Sequence, residues 1–235
     1  MSDPLSYQLK ISSRARHVSL RMTLDRGLEV VVPIGFDDRK IPAILERKRA
    51  WIDRVRERLQ RLPRPEPVNS RPEEIFLPAV GRSWIVEYAP KERPSVVLRE
   101  CEGNRLLISG NIASDLACRR VLQKWLVRQG RETLLPWLKQ MSEEAQLPYN
   151  SASVRLQRSR WGSCSRRRTI SLNAKLLFLP PGVVRYLFIH ELAHTIHMNH
   201  SRRFWDLVAS KEPDYRPLDR HLVRAMRLLP GWVHR

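Results

Sequence analysis

His190, Glu191 and His194 stand at a spacing suited to one kind of chemistry. On an α-helix, residues i and i+4 lie about one turn apart on the same face, so the two imidazoles can aim at a single point. Glu191 sits beside them on the edge of that face. This H-E-x-x-H pattern supplies two zinc ligands and a general base. A structural zinc site would close its fourth position, usually with cysteine, and no cysteine lies nearby. An open position for water fits catalysis better. The chain has seven histidines, and four of them fall between His190 and His200.

The elements around the pattern must hold it. Pro180-Pro181 ends an extended segment and suits the first turn of a helix. From Val183 to Ile196 the residues are apolar on almost every side, the signature of a buried helix. Burying Glu191, His190 and His194 there without a partner would be costly, and a metal removes that cost. The third ligand is expected from His200, after a turn at Met198-Asn199 where Asn tolerates a left-handed conformation. Ser201 is then placed to cap a helix containing Phe204, Trp205, Leu207 and Val208. His197 is the competitor, but on a straight helix it turns away from the point shared by the other two. It is assigned to the surface or to contacts behind the ligands.

Several motifs flank this stretch: RWGSCS at Arg160 to Ser165, SLN at Ser171 to Asn173, LPP at Leu179 to Pro181, MNHSRRFW at Met198 to Trp205 and PDY at Pro213 to Tyr215. Together with HELAH they resemble the YgjP-like metal-dependent hydrolase family, which is zinc-metallopeptidase-like and related to SprT-like proteases. The resemblance implies His190, His194 and His200 as zinc ligands and Glu191 as catalytic acid/base. Ala174 stands where relatives commonly carry a large aromatic residue. The ligand spacing also matches metzincins, yet His197 occupies the place where they need glycine.

The 235 residues suffice for one sizeable core with a substantial lobe attached. Lys+Arg 43 against Asp+Glu 24 gives a net charge of +19, which favours anionic partners. Cys101, Cys118 and Cys164 form no C-x-x-C pair, which points to a reducing compartment. Met1 to Leu9 shows no leader pattern, and no stretch reaches the roughly 18 apolar residues of a membrane span. A cytoplasmic location is expected, with no membrane partner.

Along the chain, Val18 to Val32 alternates around Asp25-Arg26-Gly27 as a β-hairpin. One helix, capped by Asp37 or Asp38, follows from Ile41 to Leu59 and carries an arginine-rich outer face. Leu62 to Pro72 is a proline-rich connector. Trp84 to Tyr88 reads as a strand, and the segments around Val96 and Leu106 as a second hairpin. Ser114 caps a long helix to Met141, with Gly130 or Pro136 as the point of a kink or division. Val154 to Arg158 and Thr169 to Leu172 read as partner strands. From Ala145 through His190 there is no Asp or Glu, against eight Lys or Arg. Arg166 to Arg168 is expected at a hairpin tip, as a clamp for phosphate or carboxylate. Leu218 to Leu229 reads as a final helix.

The expected fold is α+β: a β-rich N-terminal lobe with one helix over residues 1–112, then a zincin-like unit over 113–235 built on a buried H-E-x-x-H helix. The expected activity is Zn²⁺-dependent hydrolysis of peptide bonds, with an extended substrate adding a strand beside residues 169–177. Two alternatives are a nucleotide phosphohydrolase, which the arginine run before the site suits, and a nucleic-acid-associated protease of the SprT-like kind. Partners are accordingly a peptide or protein, a phosphate-bearing small molecule, or nucleic acid through the basic surface. Arg158, Arg160, Trp161 and Gly162 are expected to contact substrate, Gly162 by close backbone approach. Tyr215 is expected to donate a hydrogen bond to a developing oxyanion. Ser163 and Cys164 lack a base-and-orienter pair, so a nucleophilic role is set aside for a structural or cleft-lining one.

Overall fold

The computed structural model describes residues 6–23, 27–60, 71–226 and 228–234. It is a mixed α+β structure that divides into two compact units at Arg64 and Pro65. The proline-rich connector falls almost wholly outside the described residues, as do Asp25 and Arg26 of the first turn.

The first unit holds β1 (Tyr7–Ser12), β2 (Ser19–Thr23), β3 (Gly27–Pro33), α1 (Ile41–Arg47) and α2 (Arg49–Gln60). The expected hairpin is β2 and β3, antiparallel with Leu20 opposite Val30. β1 lies on the other side of β3 and runs parallel to it. β1 was not expected, although Tyr7, Leu9 and Ile11 alternate with Gln8, Lys10 and Ser12 as a strand would; its residues are nearly all exposed. Leu28, Val30 and Val32 pack with Ile41, Leu45 and Ile52 into a small core. The expected single helix is broken at Lys48, whose backbone leaves helical geometry at φ −102 and ψ 5. Asp37 caps the short 3-10 turn Asp38–Lys40 that precedes α1, accepting from the Arg39 amide at 3.1 Å, and α1 itself starts after Lys40 without a side-chain cap.

The second unit opens with β4 (Glu74–Leu77), β5 (Arg82–Pro90), β6 (Val97–Cys101) and β7 (Arg105–Gly110), in the order β4-β5-β7-β6. Its helix α3 (Asp115–Ala145) starts at Ser114, whose hydroxyl accepts from the Ala117 amide at 3.3 Å. Trp84 of β5 meets Trp125 of α3 edge to face at 5.3 Å. Residues 74–110 therefore share one hydrophobic core with the histidine-bearing helix. The boundary between units lies at 64/65 rather than at 112/113, because the apolar face of this sheet has its partner in α3.

Neither Gly130 nor Pro136 divides α3. Gly130 is required by packing: a Cβ there would stand 2.9 Å from Val154 Cγ1 and 3.4 Å from Ala174 Cβ. Ala174, fully buried, thus belongs to the floor beneath α3 and does not line a cleft.

The second sheet consists of β8 (Ser151–Arg155), β9 (Gly162–Cys164) and β10 (Thr169–Asn173), ordered β8-β10-β9. β8 and β10 pair as expected, but in parallel; the hairpin is β9 with β10, and Arg166 to Arg168 form its tip with Arg168 left-handed at φ 54. β10 is bonded on both sides, so no extended substrate can add beside residues 169–173. The free edges of this sheet are those of β8 and β9.

Three helices complete the unit: α4 (Pro181–Ala193), α5 (Arg202–Lys211) and α6 (Tyr215–Ala225). The final helix therefore starts at Tyr215, and a short 3-10 turn at Gly231–Val233 replaces the end expected from sequence. No helix among the described residues is long and apolar enough to cross a membrane.

Candidate metal centre

α4 begins with Pro181 in its first turn, where a missing amide hydrogen costs nothing, and buries Val183, Val184, Tyr186, Leu187, Phe188, Ile189, Glu191 and Leu192. Helical geometry ends at Ala193, and His194 is the C-cap. The chain then turns through residues 195–201 into α5. Asn199 is not left-handed in this turn, and the Ser201 side chain makes no capping hydrogen bond. The start of the turn is held by His194 Nδ1 bonding to the His197 carbonyl and by the Thr195 hydroxyl donating to the Leu192 carbonyl.

The turn brings His200 to His190 and His194. One ring nitrogen from each lies within 4.8 Å of the others, a grouping able to hold a metal ion. His200 Nε2 and His190 Nε2 are 3.1 Å apart. His197 is not in this cluster; its carbonyl oxygen, 3.0 Å from His194 Nδ1, accepts that nitrogen's proton and leaves the Nε2 lone pair free. His190 is oriented similarly. Tyr186 donates its hydroxyl hydrogen to Asp219 Oδ1 at 2.8 Å, so its oxygen accepts from His190 Nδ1, 3.4 Å away.

Aromatic rings fix the imidazoles from the α5 side. Phe204 stacks on His194 at 4.5 Å and meets His200 edge-on at 4.8 Å. Trp205 stacks on His200 at 5.6 Å, and Tyr215 stacks on Trp205 at 5.3 Å. Burial holds His190 well below its ordinary range, at about 3, with the charges of His194 and His200 adding to the effect. Burial likewise lowers His194. Both rings are thus neutral, the form that donates a lone pair to a metal.

Glu191 is 4% exposed, and its Oε2 has no hydrogen-bond partner. Burial pushes its carboxyl up to about 8, and the Arg160 charge opposes that rise. Gly162 of β9 makes room for it: a Cβ at that position would lie 2.6 Å from Glu191 Oε1. The close backbone approach expected at Gly162 exists, but toward the glutamate. Three imidazole nitrogens within 4.8 Å of one another fit a divalent ion, the residue after His190 carries an orphaned carboxylate oxygen, and the all-nitrogen donor set suits zinc among others.

A family model for the YgjP-like metallopeptidase domain matches residues 16–225. The chain belongs to the YgjP-like metallopeptidase family. A metal-dependent hydrolase is what that membership means in chemical terms, and a metal cofactor comes with it. A search of curated proteins finds no match.

The motifs shared with the YgjP-like family now have physical roles. Asn173 is fully buried and uses its whole amide: Oδ1 accepts from the Gln157 and Lys175 amides, and Nδ2 donates to the Gln157 and Arg160 carbonyls. It pins the loop that leads into Trp161 and Gly162. Trp161 is a buried residue, not a substrate contact; its indole donates to the Leu222 carbonyl of α6 at 2.9 Å. Arg160 is exposed, with its charge felt at Glu191, whereas nothing ties the exposed Arg158 to the site. Tyr215 borders the site through Trp205, and its hydroxyl accepts from Arg216 Nε at 3.4 Å. Cys164 is half-buried on β9, its thiol pushed up to about 11 by burial and by Glu191.

Sequence reasoning missed Tyr186, Asp219 and the platform role of Phe204 and Trp205. Tyr186 was within reach, lying four residues before His190 on the same helical face. Asp219 carries no such signal, since only the packing of α6 on α4 brings it there.

Proposed function

We propose that the chain is a zinc peptidase with a zincin-like catalytic unit, in which His190, His194 and His200 hold the metal and Glu191 handles protons. The observation that carries this reading is the grouping of three imidazole nitrogens within 4.8 Å of one another, at the end of a helix that also buries the unpartnered Glu191 Oε2. Zinc, when bound, supplies Lewis acidity and makes water acidic near pH 7.

Glu191 takes a proton from the attacking water at Oε2 as the C–O bond forms. It passes that proton to the amide nitrogen as the C–N bond breaks, and is restored as a carboxylate. Gly162 and the surrounding core hold the carboxylate in one position and keep bulk water from it. Arg160, with its charge reaching Glu191, favours the ionised form that the first step needs. The free edge of β9, directly against Glu191, offers main-chain groups on which an extended peptide can align. Tyr215, stacked on Trp205, and Arg160, whose charge reaches Glu191, are the side chains assigned to donate hydrogen bonds to the carbonyl oxygen.

The test pairs the zinc-loaded protein with casein and, separately, with nucleoside triphosphates. Casein cleavage that disappears in Glu191→Gln while zinc stoichiometry stays unchanged is the expected result. Triphosphate hydrolysis without casein cleavage would overturn the peptidase reading in favour of a phosphohydrolase.

A further inference from the structure

Away from the histidines, a cavity of about 710 Å³ opens between α3 and the end of β8. Arg119, Arg120, Lys124 and Arg131 of α3 line it, with Arg155 of β8 opposite, and its lining contains no acid. None of these five cations forms an ion pair among the described residues. The acids nearby are engaged elsewhere: Asp115 with Arg71 at 2.7 Å, and Glu100 with Arg128 at 2.7 Å. Five uncompensated positive charges around one concavity set the sign of what it accepts.

Two further observations narrow the chemistry. Val154 and Arg155 are consecutive strand residues, so their side chains point to opposite faces of the sheet. Both line the cavity because it meets β8 at its last two residues, where the strand gives way to Leu156. β8 is an edge strand, and no described strand pairs with its outer side. The walls add Leu116, Val127 and Leu156, but no aromatic ring on which a nucleobase could stack.

We propose that the groove between α3 and the outer edge of β8 binds an acidic polypeptide segment in extended conformation. The segment adds to β8 through main-chain hydrogen bonds, places apolar side chains on Leu116, Val127 and Leu156, and pairs its carboxylates with the five cations. From Leu116 to Arg131 the helix face runs for roughly 22 Å at 1.5 Å per residue. That length takes about seven extended residues. The site stands apart from the catalytic chemistry, and binding is read without turnover, so its failure is distinct from failure of the peptidase reading.

The experiment titrates the full chain into a fluorescein-labelled peptide of about ten residues alternating Glu and Val, reading anisotropy. Comparison probes are the Gln/Val peptide, the Glu/Val peptide with N-methylated alternate amides, and a single-stranded oligonucleotide of similar length. Saturable binding of the acidic peptide is expected, weakened at least about tenfold by R120E/K124E/R155E and unchanged by R54E/R56E on α2. The neutralising set R120Q/K124Q/R155Q, which leaves packing untouched, should give an intermediate loss. Equal binding of the Gln/Val peptide overturns the charge argument, and undiminished binding of the N-methylated peptide overturns strand addition. Tighter binding of the oligonucleotide overturns the choice of partner.

Discussion

Replacing Glu191 by Gln should stabilise the metal-free protein in a manner that depends on pH. The carboxyl titrates near 8 in the fold against about 4.5 in the unfolded chain. A folded-state value raised in this way means the neutral form is preferred, so the site's contribution is fully present below about pH 4.5. It is lost progressively as pH rises through 8. Each unit of difference corresponds to 1.36 kcal/mol, so the native state loses about 3 kcal/mol by pH 7 and about 5 kcal/mol once both forms are ionised. Gln is isosteric with the protonated acid and escapes this loss. Urea unfolding of both proteins with a chelator present, at pH 4, 7 and 9, measures the gap. It should be near zero at pH 4 and favour the variant by a few kcal/mol at pH 9. A gap of the same size at all three values would refute the claim that burial of an unpartnered carboxylate governs this position.

Gly162→Ala should retain the fold yet lose at least about tenfold in turnover, because its Cβ lands 2.6 Å from Glu191 Oε1 and displaces the carboxylate; kinetics alongside circular dichroism check this. Tyr186→Phe removes the oxygen that faces His190 Nδ1 and should weaken zinc binding roughly tenfold in a chelator competition. Asn173→Ala strips four hydrogen bonds from a buried loop anchor and should cost about 3 kcal/mol in denaturant unfolding.

The histidine-bearing helix was legible because its pattern is local: the i, i+4 histidines, the proline start and the all-round apolar composition lie within one stretch of chain. The bringing together of His200, not His197, with the other two was legible for the same reason, since the six-residue gap forces a turn. What sequence could not show depends on packing between distant elements. β9 is only three residues long, too short for a period to register, yet it carries Gly162 to Glu191 and forms the other arm of the hairpin whose tip is Arg166 to Arg168. Trp161 reads as a surface contact among arginines, and only the position of α6 makes it a core residue. The unit boundary was misplaced because a proline-rich connector and a run of strands look alike as a lobe until Trp84 finds Trp125.

The stacking of Phe204 and Trp205 on the imidazoles settles when the ordering of this site takes place. Side-chain freedom is surrendered during folding, as α5 docks, so an arriving ion meets rings already in position. Affinity then depends on how firmly α5 is seated, and a substitution on its buried side, at Val208 for example, would loosen the grip on the ion without touching any atom that contacts it.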